Sequence, residues 1–371
     1  MSLCIETVKN QKDWESFLKL PWRIYKGNEY WVPPLLAEVR GTLDTKQNPF
    51  WKHAKREIFL ARNGDNPVGR IVAVVDENHN EFHNEKAGFF GFFECVNDFE
   101  VAQVLWDEAK KWLKVNGMEI MRGPTSPSMN DENSFLLEGF DKPPTVMMPY
   151  TPPYYLEQAE QYGFKKAKDL YAFIKYAKDG IPLRIEKMVN RIKARTDVKV
   201  RPFDMKKFER DVQFLKDIYN TAWEKNWGFV PMTDDEINLS AKKLKQFVEP
   251  ELVLFAEMGG RPVAVTVTVP DINQVLKKLN GRLGPIEMLK FLFYKRKITG
   301  VRSLIAGVMK EYRETGIIAV LYYETEKANL RLGYQWCELG WNLEDNDLIN
   351  RFDMAIGGKL YKKYRIYEMQ I

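Results

Sequence analysis

The sequence is poor in the residues that carry most redox and metal chemistry. Its 371 residues include only three cysteines (Cys4, Cys95, Cys337) and three histidines (His53, His79, His83). The cysteines are far apart and odd in number, and no C-x-x-C occurs, which excludes a disulfide framework and a cysteine-based zinc site. His79 and His83 form H-x3-H, a spacing able to hold metal on a helix. The surrounding DENHNEFHNEK is so polar and so rich in Asn that it reads as a solvated loop, and no metal is expected. No Ser–His–Asp or Cys–His constellation stands out. No apolar run reaches the roughly 18 residues of a membrane span, and the opening MSLCIETVKN has no signal-peptide pattern. A cytoplasmic protein with no membrane partner is expected. Charge of one sign is also missing: 56 Lys+Arg against 51 Asp+Glu leave +5. That balance is too mild to call for nucleic acid, and it suits an anionic small molecule equally well.

What is present is apolar and patterned. At 45% apolar and 13% aromatic the chain can bury sizeable cores, and its length predicts two domains. Strand-like runs occur at REIFLAR (56–62), VGRIVAVVD (68–76) and GFFGFFECV (88–96). A helix is expected from about Glu100 to Val115, with Val101, Val104, Leu105, Ala109, Trp112 and Leu113 as its apolar stripe. Gly117 stops it and MEIMRG follows as a strand. The second half repeats the order. ELVLFAEM (251–258), VAVTVTVP (263–270) and RSLIAGV (302–308) read as strands, then comes a helix from about Gly316 to Leu332, ended by Gly333, and the strand QWCELGW. Two copies of one α/β domain are the simplest reading, spanning 1–178 and 179–371.

The junction falls near AKDGIP. PLRIEKMVNRIKARTD after it is a basic amphipathic helix, whose acidic members suit packing on a domain better than a nucleic-acid or membrane role. Thr233 and Glu236 form a capping box. The stretch from Asp271 to Gly300 is an insertion with the character of two short helices. In the first half, the segment from Met121 to Tyr155 reads as a long loop dense in Pro, Asn and Ser.

The chemistry concentrates in GVMKEYRETGIIAVL (307–321). Here a strand runs through a charged turn into an apolar helix, with Arg313 and Gly316 at the mouth. The first amides of a helix lack intrahelical partners and carry partial positive charge. Glycine there removes the side chain that would keep a phosphate away, and arginine adds a fork of donors. An ordinary strand-to-helix turn is the alternative.

GVMKEYRETGI resembles the acyl-CoA-binding motif of the GNAT (Gcn5-related N-acetyltransferase) superfamily, R/Q-x-x-G-x-G/A, which follows a strand and opens a helix. Arg313 and Gly316 match it, Ile318 stands where the family prefers Gly or Ala, and Glu314 adds a negative charge. QWCELGWNLEDN ends at Asn346, where the family often places an Asn at the pantetheine arm. DLINRFDMAIGG resembles the family's N-x6-Y-E-K-L-G-F helix, with Asp353 in the slot of its proton-donating tyrosine. The first half has no R-x-x-G, and Asp98 and Glu100 sit at its helix mouth.

The resemblance implies two tandem GNAT-like α/β domains, each a mixed, mostly antiparallel twisted sheet flanked by helices, with the acyl-CoA site in the second. It implies that Val308, Arg313, Glu314, Thr315, Gly316, Ile317, Ile318 and Asn346 bind acetyl-CoA or another acyl-CoA. The Val308 amide would face the oxyanion, and the acyl group would pass to a small-molecule or peptide amine. Strand alternation places Glu338, Gly340, Asn342 and Glu344 on one face, making Glu338 a candidate base, with a salt-bridged carboxylate as the alternative. Tyr364 and Tyr367 are candidate proton donors. Trp227, in the aromatic cluster AWEKNWGFVP, and Asp271 and Asn273, at a strand end, are candidates for the acceptor groove. Two other readings fit the sequence: a degenerate pair that binds CoA or another anion without turnover, and an aminoacyl-tRNA-dependent transferase. A monomer or homodimer is expected.

Overall fold

The computed structural model describes residues 3–371. The first half contains β1 (Leu3–Thr7), α1 (Gln11–Ile24), α2 (Leu36–Leu43), β2 (Ala54–Asn63), β3 (Asn66–Asp76), α3 (Glu77–His83) and β4 (Ala87–Cys95). It continues with α4 (Phe99–Val115), β5 (Ile120–Gly123), the short β6 (Thr125–Ser126), β7 (Glu132–Asn133) and β8 (Phe135–Glu138), then α5 (Tyr154–Tyr162) and β9 (Lys165–Tyr176). The second half has α6 (Leu183–Arg195), β10 (Lys199–Pro202), α7 (Phe208–Ala222), α8 (Asp234–Leu244), β11 (Val253–Met258) and β12 (Arg261–Pro270). After these come α9 (Asn273–Leu279), α10 (Pro285–Lys295), β13 (Gly300–Val308), α11 (Ile317–Leu332), β14 (Trp336–Leu343), α12 (Asp347–Ala355) and β15 (Lys359–Gln370).

These elements form two compact units. Among the described residues, unit 1 comprises 3–169, Val275–Leu292 and Lys363–Ile371; unit 2 comprises Leu170–Gln274 and Phe293–Lys362. In unit 1, β1 to β4 pair antiparallel in order, β4 pairs β5 in parallel, and β15 lies antiparallel to β5 and β8. Unit 2 repeats this plan. There β10 to β13 are antiparallel, β13 pairs β14 in parallel, and β9 lies antiparallel to β14. Each sheet is therefore mixed and mostly antiparallel, as the resemblance implied. Each is also completed by a strand from the other half of the sequence, β15 in unit 1 and β9 in unit 2.

Helix α4 seals the sheet of unit 1. Asp98 caps it by accepting the Glu100 N–H at 3.0 Å, and Val101, Leu105, Trp106, Ala109 and Leu113 are buried in one cluster with Phe90, Phe93 and Tyr367. In unit 2, α6 turns Ile185 and Val189 into a cluster with Ala319, Val320 and Leu339, so its basic residues form the outer face of a packed helix. The capping box at Thr233 and Glu236 opens α8, and the insertion after Asp271 forms α9 and α10.

Two expectations are corrected. The segment from Met121 to Tyr155, expected as a long loop, carries the strands β6, β7 and β8, of which β6 pairs β7 and β8 pairs β15. The polar stretch expected as a solvated loop is helix α3. Asp76 Oδ1 accepts the N–H groups of Asn78 and His79, and Asn84 ends the helix in the left-handed conformation at φ 51°. Short polar side chains act here as caps rather than loop formers. His79 is buried, with Nε2 at 2.6 Å from Glu85 Oε1.

Strand β9 is tied to α11 by a buried ion pair. Lys175 Nζ lies 2.8 Å from Glu326 Oε1 and also donates to Gly180 O at 2.8 Å, and the two side chains are 1% and 5% exposed. Lys175→Met strands a carboxylate away from water and is expected to cost about 3–5 kcal/mol in urea denaturation. The double change Lys175→Met, Glu326→Leu is expected to restore most of that loss.

Candidate active site

The site begins where two parallel strands part. Strands β13 and β14 pair only over Gly300–Ser303 and Trp336–Leu339. Beyond that, β13 runs on to Val308 against β12, and β14 runs on to Leu343 against β9. A β-bulge in β14 accompanies the parting: Leu339 faces Phe173 and Asn342 faces Tyr171, so two residues oppose one. Gly340 lies in the bulge at φ 122°, and a Cβ on it would come 2.7 Å from Tyr171 O, so only glycine fits. Buried Arg302, one residue before the last paired position of β13, holds the bulge. Its Nη2 donates to Gly340 O at 3.2 Å, and its Nε is 3.3 Å from Glu338 Oε1.

The bulge also overturns simple alternation along β14. One extra residue changes the face of everything after it. Asn342 consequently reaches α12, on the side of Cys337 and Leu339, and not the side of Glu338.

Next to the parted strands lies a cavity of about 40 Å³. Thr268 of β12, Ser303 of β13, Ile318 and Tyr322 of α11, and Phe352 and Asp353 of α12 line part of it. The hydroxyls of Thr268 and Tyr322 are buried there without a hydrogen-bond partner. Burial also raises the Tyr322 hydroxyl above its ordinary range, so it stays a donor. Asp353 receives a hydrogen bond from Asn342 Nδ2 at 2.7 Å. Burial pushes its carboxyl up to about 7, against the opposing effect of that bond. Unpaired buried donors are costly, and this space is large enough for polar atoms that would satisfy them.

The mouth of α11 lies at the other end of β13. Gly316 caps the helix at φ 75°, and a Cβ there would lie 2.9 Å from Ile192 Cδ1 of α6. Thr315 Oγ1 accepts the Ile317 N–H at 3.3 Å. Ile317 turns into the core, Ile318 reaches the cavity, and Glu314 is exposed. Val308 ends β13 opposite Ala264. Arg313 already has a partner: its Nη2 donates to Ala222 O at 2.9 Å, closing the C-terminal end of α7. Asn346 caps α12 by accepting the Ile349 N–H at 3.4 Å.

The remaining candidates lie elsewhere. Glu338 is fully buried, with its carboxylate held by Arg302 and by the Tyr361 hydroxyl. Tyr364 and Tyr367 belong to unit 1, where Tyr367 donates to Glu160 Oε1 at 2.9 Å. Asp271 is buried and accepts from Gln274 Nε2 at 3.3 Å, Asn273 opens α9, and Trp227 lies between α7 and α8. None of these lines the cavity. Sequence reasoning did not single out Thr268 or Tyr322, although signals existed. The alternation TVTVP puts Thr266 and Thr268 on one face of β12, and Tyr322 follows Ile318 by four residues on α11.

Unit 1 has the matching parting, but its own chain occupies it. Strand β4 pairs β5 only over Ala87–Phe89, after which the Phe92 N–H donates to Ser126 Oγ at 3.0 Å. Gly91 lies so close to Thr125 O that a Cβ would come within 1.5 Å of it.

No protein-family model matches the sequence. Two curated relatives match over nearly their whole length. Protein YghO of Escherichia coli (strain K12) is 34% identical over 375 residues, covering 99% of this chain and 95% of its own. A bacterial ceramide synthase of Caulobacter vibrioides is 34% identical over 374 residues, covering 99% and 97%. Among solved structures, a tandem GNAT protein from the clavulanic acid biosynthesis pathway matches with a TM-score of 0.59 at 11% identity, covering 100% of this chain and 98% of that one. A GCN5-related N-acetyltransferase from Sphaerobacter thermophilus matches with a TM-score of 0.55 at 12% identity, covering 99% and 95%. The likeness to the two curated relatives makes the chain a member of their family, and the parted strands, the repeated sheet plan and the likeness to the solved structures give it the tandem GNAT fold.

Proposed function

We propose that unit 2 catalyses transfer of an acyl group from an acyl-CoA to an amine. The observation that carries this reading is the cavity beside the parted strands, where a protonatable Asp353 and two unpaired hydroxyls meet. An acyl-CoA supplies the activated acyl group. The chain's part is to hold it: residues Thr315–Ile318 would receive the diphosphate, Asn346 the pantetheine arm, and the unpaired edge of β13 past Ser303 the amides between them. Val308 remains the candidate for the oxyanion amide. Unit 1, with its parting filled and Asp98 at the mouth of α4, would hold no donor.

Asp353 takes the place of the family's tyrosine. A carboxyl that keeps its proton to about 7 can deliver it to a departing thiolate, and Asn342 holds it in position. The reading assigns no proton transfer to Glu338, whose oxygens Arg302 and Tyr361 already hold. The curated relative named a bacterial ceramide synthase supports a fatty acyl donor and a long-chain amino-alcohol acceptor over acetyl transfer, since a ceramide is an N-acylated sphingoid amine. Binding without turnover is the second reading. It is favoured by Ile318 in the Gly/Ala position and by Arg313 spending its donors on α7.

Thioester consumption separates the two. With a long-chain acyl-CoA and a sphingoid amine, the native protein is expected to release free thiol. Asp353→Asn is expected to lower kcat about 10²–10³-fold while calorimetric Kd for CoA changes little. Binding without thiol release over a panel of amines would favour the second reading.

Asp353 also predicts a pH dependence of stability. The folded protein holds its proton up to about 7, against an ordinary value of 3.8. The folded state therefore binds the extra proton between those values, and stability falls as pH rises through that window. The contribution is on the order of 4 kcal/mol for this one group. Asp353→Asn is expected to flatten that decline in denaturation curves taken from pH 4 to pH 8.

A further inference from the structure

Helix α10 presents an apolar surface to solvent. None of its residues is buried, although it is rich in large apolar side chains. Ile286 is 66% exposed, Leu289 69%, Leu292 56% and Phe293 57%, and Leu283 just before the helix is 50% exposed. Helical spacing gathers Ile286, Leu289 and Phe293 into one stripe with Leu292 beside it. The half-buried Glu287, Phe291 and Tyr294 share the opposite side, on which the helix rests. Single exposed leucines need no explanation, but a contiguous row of this kind does.

The charges around the row name its partner. Residues 282–297 contain Arg282, Lys290, Lys295, Arg296 and Lys297 against the single acid Glu287. Lys290 and Lys295 flank the apolar arc on either side, and the other cations lie at its two ends. Glu287 is turned away from the arc, accepting the Gly284 N–H at 3.2 Å at the start of the helix. Lys295 lies 4.0 Å from Glu249, and Lys297 Nζ sits 4.2 Å from the centre of the Phe293 ring. A protein interface is depleted in lysine. An apolar stripe rimmed by Lys and Arg is instead the pattern of a helix lying in the headgroup region of a bilayer.

We propose that α10 docks the protein on an anionic phospholipid surface, with Ile286, Leu289, Leu292 and Phe293 entering the acyl boundary and the flanking cations meeting lipid phosphates. This is contact with one leaflet only, since no helix among the described residues is long and apolar enough to cross a membrane. The expectation of no membrane partner rested on the lack of a span, which says nothing about such surface contact. The inference stands on the helix itself and does not depend on acyl transfer.

Flotation of the full chain with vesicles tests it without any reference to activity. The protein is expected to float with equimolar phosphatidylcholine–phosphatidylglycerol vesicles, to float poorly with phosphatidylcholine alone, and to be released by high salt. Leu289→Glu with Phe293→Glu is expected to weaken vesicle binding about tenfold or more while leaving thermal unfolding unchanged, because both side chains are exposed. Failure of the native protein to float would overturn the proposal, and so would flotation that the double variant leaves intact. A native dimer that the variant dissolves, without vesicle binding, would assign the face to a second copy instead.

Discussion

The architecture of unit 2 depends on Arg302. It sits one residue before the last position where β13 and β14 pair, is almost wholly buried, and connects two features of β14 at once: the Gly340 carbonyl and the Glu338 carboxylate. A guanidinium is suited to this because its planar fork satisfies several acceptors without losing charge. By holding the bulge, it sustains the separation of two strands that would otherwise continue their ladder. The separation exposes the edge of β13, and the change of face beyond the bulge brings Asn342 to Asp353. The cavity, the raised carboxyl and the unpaired hydroxyls all lie downstream of that contact.

The two units show how one sheet plan can serve two ends. In unit 1 the corresponding parting is filled by Thr125 and Ser126, and the mouth of α4 is capped by Asp98. In unit 2 the parting adjoins a polar cavity, and the mouth of α11 carries a glycine with no acidic side chain in the first turn. A carboxylate cap stabilises a helix and repels a phosphate, while a glycine cap leaves the amides approachable. The exchange of β9 and β15 means that neither sheet is complete without chain from the other half of the sequence.

Much of the fold could be read from pattern. The strands of both halves, the helices near 100–115 and 316–332 and the capping box at Thr233 follow from local periodicity and caps, which act over a few residues. The bulge at Gly340 could not be read that way, because it is set by Arg302 and by the approach of Tyr171, both distant in sequence. For that reason simple alternation puts Asn342 on the wrong face. The partners of Arg313 and Glu338 were hidden for the same reason: Ala222 and Arg302 lie far along the chain. Helix α3 is hard to see in the sequence for a different reason. Its caps are Asp76 and Asn84, residues as common in loops as at helix ends. Asp353 was visible only as a departure from the family motif, since its chemistry comes from burial, which the sequence does not display.

Hydrogen–deuterium exchange of the full chain, with and without a non-hydrolysable long-chain acyl-CoA analogue, tests the central claim most directly. The account predicts slowed exchange in the 303–308 end of β13, in the first turns of α11 and in α12, with β4, β5 and the mouth of α4 unchanged. Protection confined to the elements of unit 1, or no protection at saturating analogue, would contradict it.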